Sequence, residues 1–158
     1  ESLPYFSVGS ERTSPTSDST LYTNYSYETL GRLRAAINAV GVTSNNYNDW
    51  NLIVTDANGK AKDLHKDGYG NLVKVDEHNV GNTYSVLYDY NYLGNIIKIT
   101  DALSNVRNFT YDNLGRRLTA EDLRAPTDAT FGVWTYAYDD AGNLTQTIDP
   151  KNQTVNYT

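Results

Sequence analysis

Two histidines and a scatter of carboxylates are the residues of this chain that could do chemistry. His65 and His78 stand thirteen apart, with Asp63, Asp67, Asp76 and Glu77 around them. Imidazole beside carboxylate suits acid–base work or a metal centre. Their spacing fits no ligand pattern, and surface histidines near loops are the reading it favours. Asp139-Asp140 and Glu121-Asp122 are neighbouring carboxylates. Glycoside hydrolysis needs two carboxyls facing across a cleft, whereas adjacent strand residues point apart. The Asp-rich turns lack the closely spaced oxygen ligands of a calcium loop. No phosphate-binding glycine loop or nucleophile elbow occurs, and no Ser is placed with a His and an acid. The repeated Tyr and Trp residues could stack on sugars. Many alternate at strand spacing, which favours a sheet core instead. No catalytic residue, metal ligand or cofactor is therefore expected.

These residues sit in a repeat. Tyr111-Asp112-Asn113-Leu114-Gly115-Arg116 has the form Y-D-x-x-G, and altered copies recur. Tyr138, Asp139 and Gly142 anchor the clearest second copy; Tyr90 with Gly94, Tyr27 with Gly31, and Gly70 without a leading Tyr anchor others. Tyr47 begins the most worn copy, with Asn51 where Gly is expected. Successive anchors are 20, 19, 24, 21 and 27 residues apart. About twenty residues hold two short strands and two turns. The glycine can take positive φ, and the Asp can bond its own local backbone. The leading Tyr should pack across to the Leu or Ile of the next strand, as Tyr111 to Leu118.

Along the chain, residues 1–20 are Ser- and Thr-rich behind a short apolar patch, Leu3-Pro4-Tyr5-Phe6. They read as a flexible or strand-donating arm. From residue 21 the pattern is strand and turn. Residues 83–92 alternate best, with Tyr84, Val86, Tyr88, Tyr90 and Tyr92 on one expected face. Residues 76–81 read as a loop, and residues 121–130, with Pro126, as an inserted loop. Nothing suggests βαβ connections, so neighbouring strands should be antiparallel. The expected fold is all-β: an extended, curled antiparallel sheet of about six YD-type hairpin repeats over residues 21–158, with bare edges that recruit partners.

Bulk properties narrow the function classes. The 158 residues carry a formal charge of −6, 14 Tyr, no Cys and no Met. Acidity without a basic run disfavours duplex DNA and anionic membranes as partners. No apolar run suffices for a membrane helix. The absent Met suggests a processed product, a fragment or an excerpt. Asn24, Asn108, Asn143, Asn152 and Asn156 lie in N-x-S/T sequons, each a legal glycan acceptor in a secretory route.

The motifs resemble the RHS/YD-repeat family, whose signature is similar to Y-D-x-x-G-R-L-x-x-x-x-D-x-x-G. Tyr111, Asp112, Gly115 and Arg116 match it, as do Tyr138, Asp139, Gly142, Leu144 and Asp149; Tyr27, Gly31, Arg32 and Leu33 match its start. The resemblance implies repeats that coil into a large β-sheet shell, a cocoon around cargo in bacterial toxin systems and an adhesive surface in related animal proteins. The expectation is a non-enzymatic structural protein, extracellular or at the cell surface, part of a shell or a self-assembling filament or sheath. Self-association would run through sheet edges or the N-terminal arm. A carbohydrate-binding or adhesion module is the alternative, and a hydrolase a distant third.

Overall fold

The computed structural model describes residues 22–158; the expected arm at residues 1–20 lies outside them. Thirteen strands follow one another: β1 (Asn24–Tyr27), β2 (Leu33–Asn38), β3 (Gly41–Asn48), β4 (Asn51–Thr55), β5 (Ala61–Lys66), β6 (Leu72–Asn79) and β7 (Asn82–Tyr90). Then come β8 (Ile96–Thr100), β9 (Val106–Tyr111), β10 (Arg117–Glu121), β11 (Val133–Tyr138), β12 (Leu144–Ile148) and β13 (Thr154–Asn156). Each pairs antiparallel with its successor, giving one meandering, unclosed sheet in sequence order with β1 and β13 at its edges. The Ala35-Ala36 step lies in β2, because a segment between two turns is too short to nucleate a helix.

One loop design closes eight of the twelve hairpins, spanning residues 28–32, 56–60, 67–71, 91–95, 101–105, 112–116, 139–143 and 149–153. Its first N–H donates to the carbonyl of its fifth residue, and its fourth N–H to the carbonyl of its first, as in Asp112 to Arg116 and Gly115 to Asp112. The fourth residue has positive φ, from +62° at Asn152 to +92° at Gly142. In the Asp and Asn loops the first side chain also caps the turn. Asp112 Oδ1 accepts from Leu114 N and Arg116 N, both at 2.9 Å, and Asn91 Oδ1 does the same for Leu93 and Asn95. The turns at 56–60, 101–105 and 149–153, between the Y-D-x-x-G copies, thus share the design of the copies themselves.

Four expectations are corrected. The worn copy at Tyr47 forms a different hairpin: Asn51 opens β4, paired with Asn48, and positive φ falls on Asp49. Residues 76–79 are strand, and a two-residue turn at Val80-Gly81 reverses the chain. Their polar composition disguised a strand whose side chains bond across the sheet. Tyr92 leaves the β7 face and sits in the 91–95 turn, 88% exposed. Tyr111 stands opposite Arg117 rather than Leu118. The inserted loop expected at 121–130 runs from 122 to 132, Glu121 ending β10, and its first arm continues pairing with β9 through reciprocal Val106–Arg124 bonds.

Leu118 is displaced because it is a β-bulge. The register slips by one residue at Arg34, Val73, Ile97, Leu118 and Thr145. Each stands three residues after the glycine of a Y-D-x-x-G-type turn. Bulges bend a strand and raise its twist. All five lie near the same edge of the sheet, so their bends add up and curl it.

Register also sorts the faces. Starting from Leu64 opposite Val75 and Val75 opposite Val86, one face carries Leu52, Leu64, Val75 and Val86. The same face bears every aromatic residue found in a strand: Tyr25, Tyr27, Tyr47, Tyr84, Tyr88, Tyr90, Phe109, Tyr111, Trp134, Tyr136 and Tyr138. The other face bears Asp63, His65, Lys74, Asp76 and Ser85. With a single layer, little is buried. Among the described apolar residues only Val106 and Ala120 are, beside the folded-back 122–132 loop.

Candidate functional site

Repeat joins repeat through a seam of polar contacts along the bulged edge. A bulge frees a backbone carbonyl from the ladder, and a half-buried carbonyl needs a donor. The leading Tyr of the next copy supplies it. Tyr90 Oη donates to Leu72 O at 2.9 Å, Tyr111 Oη to Ile96 O at 2.9 Å, and Tyr138 Oη to Arg117 O at 3.0 Å. Each acceptor lies two residues after the preceding turn's glycine. At Leu33, the corresponding position in the first copy, Asn45 Nδ2 donates instead at 3.0 Å. Three of the Tyr residues singled out from sequence, Tyr90, Tyr111 and Tyr138, therefore hold by their hydroxyls as well as their rings. That role was hidden because the Tyr-to-carbonyl distance along the chain varies from 15 to 21 residues.

The residue after each turn glycine completes the seam. Arg116 Nε donates to Asp112 Oδ2 at 2.6 Å, its Nη1 to Asp139 O at 2.9 Å, and its guanidinium lies 5.0 Å from the Tyr138 ring centre. Arg32 pairs with Glu28 and stacks 4.1 Å from the Tyr47 ring centre. Such cation–π contacts contribute roughly 0.5–1 kcal/mol each at exposed positions. Asn71 and Asn143 take the same place and donate to Asp67 and Asp139; Asn105, after Ser104 on the opposite edge, donates likewise to Asp101. These partners lower the carboxyl pKa values. The Asn71, Asn105 and Asn143 amides lead at Asp67, Asp101 and Asp139. At Asp112, desolvation opposes ionisation and Arg116 with the turn N–H groups overcomes it.

The histidines belong to a network on the non-aromatic face. Asp76, 6% exposed, is its centre. His65 Nε2 lies 3.0 Å from Asp76 Oδ2, Lys74 Nζ 2.8 Å from the same oxygen, and Ser85 Oγ donates to Oδ1 at 2.5 Å. His65 Nδ1 meets Asn51 Oδ1 at 2.9 Å. Burial would push the Asp76 carboxyl up; Lys74, Ser85 and His65 outweigh it and hold it at about 2. Serine, histidine and acid thus meet, but in the wrong order for nucleophilic catalysis. The acid stands between them, and Ser85 spends its proton on Asp76 rather than on an imidazole base. His78 pairs with Asp63 at 3.2 Å and Thr83 at 3.1 Å. Among the described residues no three His, Asp or Glu side chains gather as a metal cage. Lys74, Asp76 and His78 alternate at period two in the sequence, the signal that could have placed them on one face.

Asp139 serves its turn, and Asp140 is exposed beside it. Glu121 Oε2 accepts from Asn108 Nδ2 at 2.6 Å and lies 3.3 Å from Arg124, so neither acidic pair faces across a cleft. Among the sequons, the Nδ2 atoms of Asn108 and Asn143 are engaged by Glu121 and Asp139. Asn24, Asn152 and Asn156 are exposed, and Asn156 accepts from Gln146 through Oδ1.

The RHS Repeat family model matches residues 90–125 and 122–154. The chain carries RHS repeats over this span. It holds the copies at 91–95, 112–116 and 139–143, each with Tyr, turn, bulge and hydroxyl bond in place. The same turn and bulge geometry recurs outside it, at 28–34 and 67–73. No curated protein matches the chain. Among solved structures it is similar to a chain of the TcdB2-TccC3-Cdc42 crystal structure, with 13% identity and a TM-score of 0.58, over 90% of this chain and 10% of that one. It also aligns with a chain of the Photorhabdus luminescens Tc holotoxin pore, with 16% identity and a TM-score of 0.48, over 85% and 9%. The chain spans about a tenth of the length of these solved chains.

Proposed function

We propose that this chain is a non-enzymatic structural element, a length of β-sheet wall in an extracellular or cell-surface shell, filament or sheath. One observation carries the reading. The groups that could do chemistry are spent on holding a single repeated sheet together: turn carboxylates on turn N–H groups, Tyr hydroxyls on bulge carbonyls, and Ser85 and His65 on Asp76. The curl from five like bulges, and a fold shared with part of a chain about ten times longer, support a segment of a larger wall. Among the described residues β1 and β13 each pair on one side only, which supports self-association, since unpaired strands recruit partners. Light scattering over a wide concentration range tests it. Growth in mass with concentration is expected, and a monodisperse monomer throughout overturns assembly by this chain. A blank broad-substrate activity screen is the second expected result.

The one-sided aromatic face favours a second reading, a carbohydrate-binding or adhesion module. Tyr25, Tyr27, Tyr84 and Trp134 are 59%, 54%, 48% and 37% exposed there, enough for sugars to stack. Glycan-array binding lost in Trp134→Ala would support it, and an array at background would remove it.

A further inference from the structure

We propose that the turn edges of the sheet form a lateral seam that docks a second copy of this chain, edge upon edge. This rests on the structural reading above and names its contact. Along the bulged edge, successive turns present Leu30, Trp50, Tyr69, Tyr92 and Leu114, which are 77%, 60%, 95%, 88% and 77% exposed. The opposite edge presents Val40, Val80 and Leu103, at 80%, 88% and 82%. Turns ordinarily carry Gly, Asn, Asp, Ser or Pro at such tips, and the RHS turn itself does not require an apolar residue. Its third position is Leu30, Tyr69, Leu93, Leu103 or Leu114 in five copies, but Asn58, Ala141 and Lys151 in three with the same backbone bonds. At this third position the apolar tips therefore contribute nothing visible to their own turns.

Their spacing points to the occupant. Turns on one edge recur every second strand, about 10 Å apart, and those on the other edge are offset by one strand, about 5 Å. The tips of one edge can then enter the gaps between the tips of the opposite edge of another sheet. A surface with this period is a second copy of the same repeat. The contact is head to tail, so it stacks openly rather than closing into a dimer. An anionic membrane fits less well, because the chain carries a net charge of −6 and an acidic residue opens seven of the eight turns.

Sedimentation velocity on the full chain tests the seam, using Tyr69→Gln, Tyr92→Gln and Leu114→Gln combined. The exposure of these side chains predicts an unchanged urea midpoint. The expected result is concentration-dependent association in the parent, weakened by about tenfold or more in the triple variant. A control, Thr154→Pro at the start of β13, removes a donor that faces outward at the strand edge, because Val155 and Tyr157 are the residues bonded to β12, and leaves the tips intact. Equal association of parent and triple variant overturns the seam. If only Thr154→Pro weakens association, strand-edge assembly stands and the seam falls. A monomeric parent overturns both. Cosedimentation with phosphatidylcholine vesicles that is lost in the triple variant, without self-association, assigns the tips to a membrane and also overturns the proposal.

Discussion

At Gly115 the backbone has φ +80°, and a Cβ there would lie 3.3 Å from Asn95 Nδ2. A β-branched residue is strained in that region, so Gly115→Val should lower stability by about 2 kcal/mol, read as a shift in urea midpoint. Gly115→Asn should recover most of the loss, because Asn152 holds the equivalent position at φ +62°. An unchanged midpoint in Gly115→Val would remove the turn assignment. Tyr111→Phe keeps the ring and deletes the bond to Ile96 O, leaving a freed carbonyl without its donor. It should cost about 1–2 kcal/mol. Tyr92→Phe, at an exposed tip, should cost nothing measurable. The turn glycines and the Tyr positions were legible in the sequence because both answer to local rules. The hydroxyl bonds were not, because their acceptors exist only once a bulge two strands' length away has freed them.

Hairpins and the network they carry respond together to acid. The folded-state pKa values of Asp67, Asp101, Asp112 and Asp139 are lowered, and that of Asp76 is about 2. A depressed carboxyl stabilises the folded state above its unfolded value, about 3.9, and loses that contribution as pH falls through the folded value. The urea midpoint should therefore stay level from neutral pH to about pH 5 and fall steeply below about pH 4. Asp76 contributes on the order of 2 kcal/mol of this. In Asp76→Asn the lower part of the acid transition should disappear while neutral stability also drops. A midpoint already falling between pH 7 and pH 5 would count against the carboxylate account. β6 shows where sequence reading failed at this scale. Its Asp-Glu-His-Asn end has loop composition, yet Asp76 and His78 face Ser85 and Thr83 on β7, which form and satisfy the strand.

Over the whole of the described residues, the sheet is a one-dimensional array in which each strand pairs only with its neighbours in sequence. Stability should be graded, because end units lose half their interfaces. Hydrogen exchange should find β5 to β11 the most protected and β1 and β13 the least; uniform protection would indicate a single cooperative core. Sequence by itself determined the all-β class, the antiparallel meander and most hairpins, since strand alternation, Asp caps and positive-φ glycines act within a few residues. The 111–116 copy is the clearest case, with its turn where expected. Only tertiary structure decided the rest. Whether an apolar strand face becomes a core depends on a second layer, and here the aromatic residues share one face of a single sheet. Curl depends on register, and a one-residue slip at Leu118 cannot be read from the residue itself. It follows from fitting Tyr111 to Arg117 and Thr110 to Thr119 on the same pair of strands.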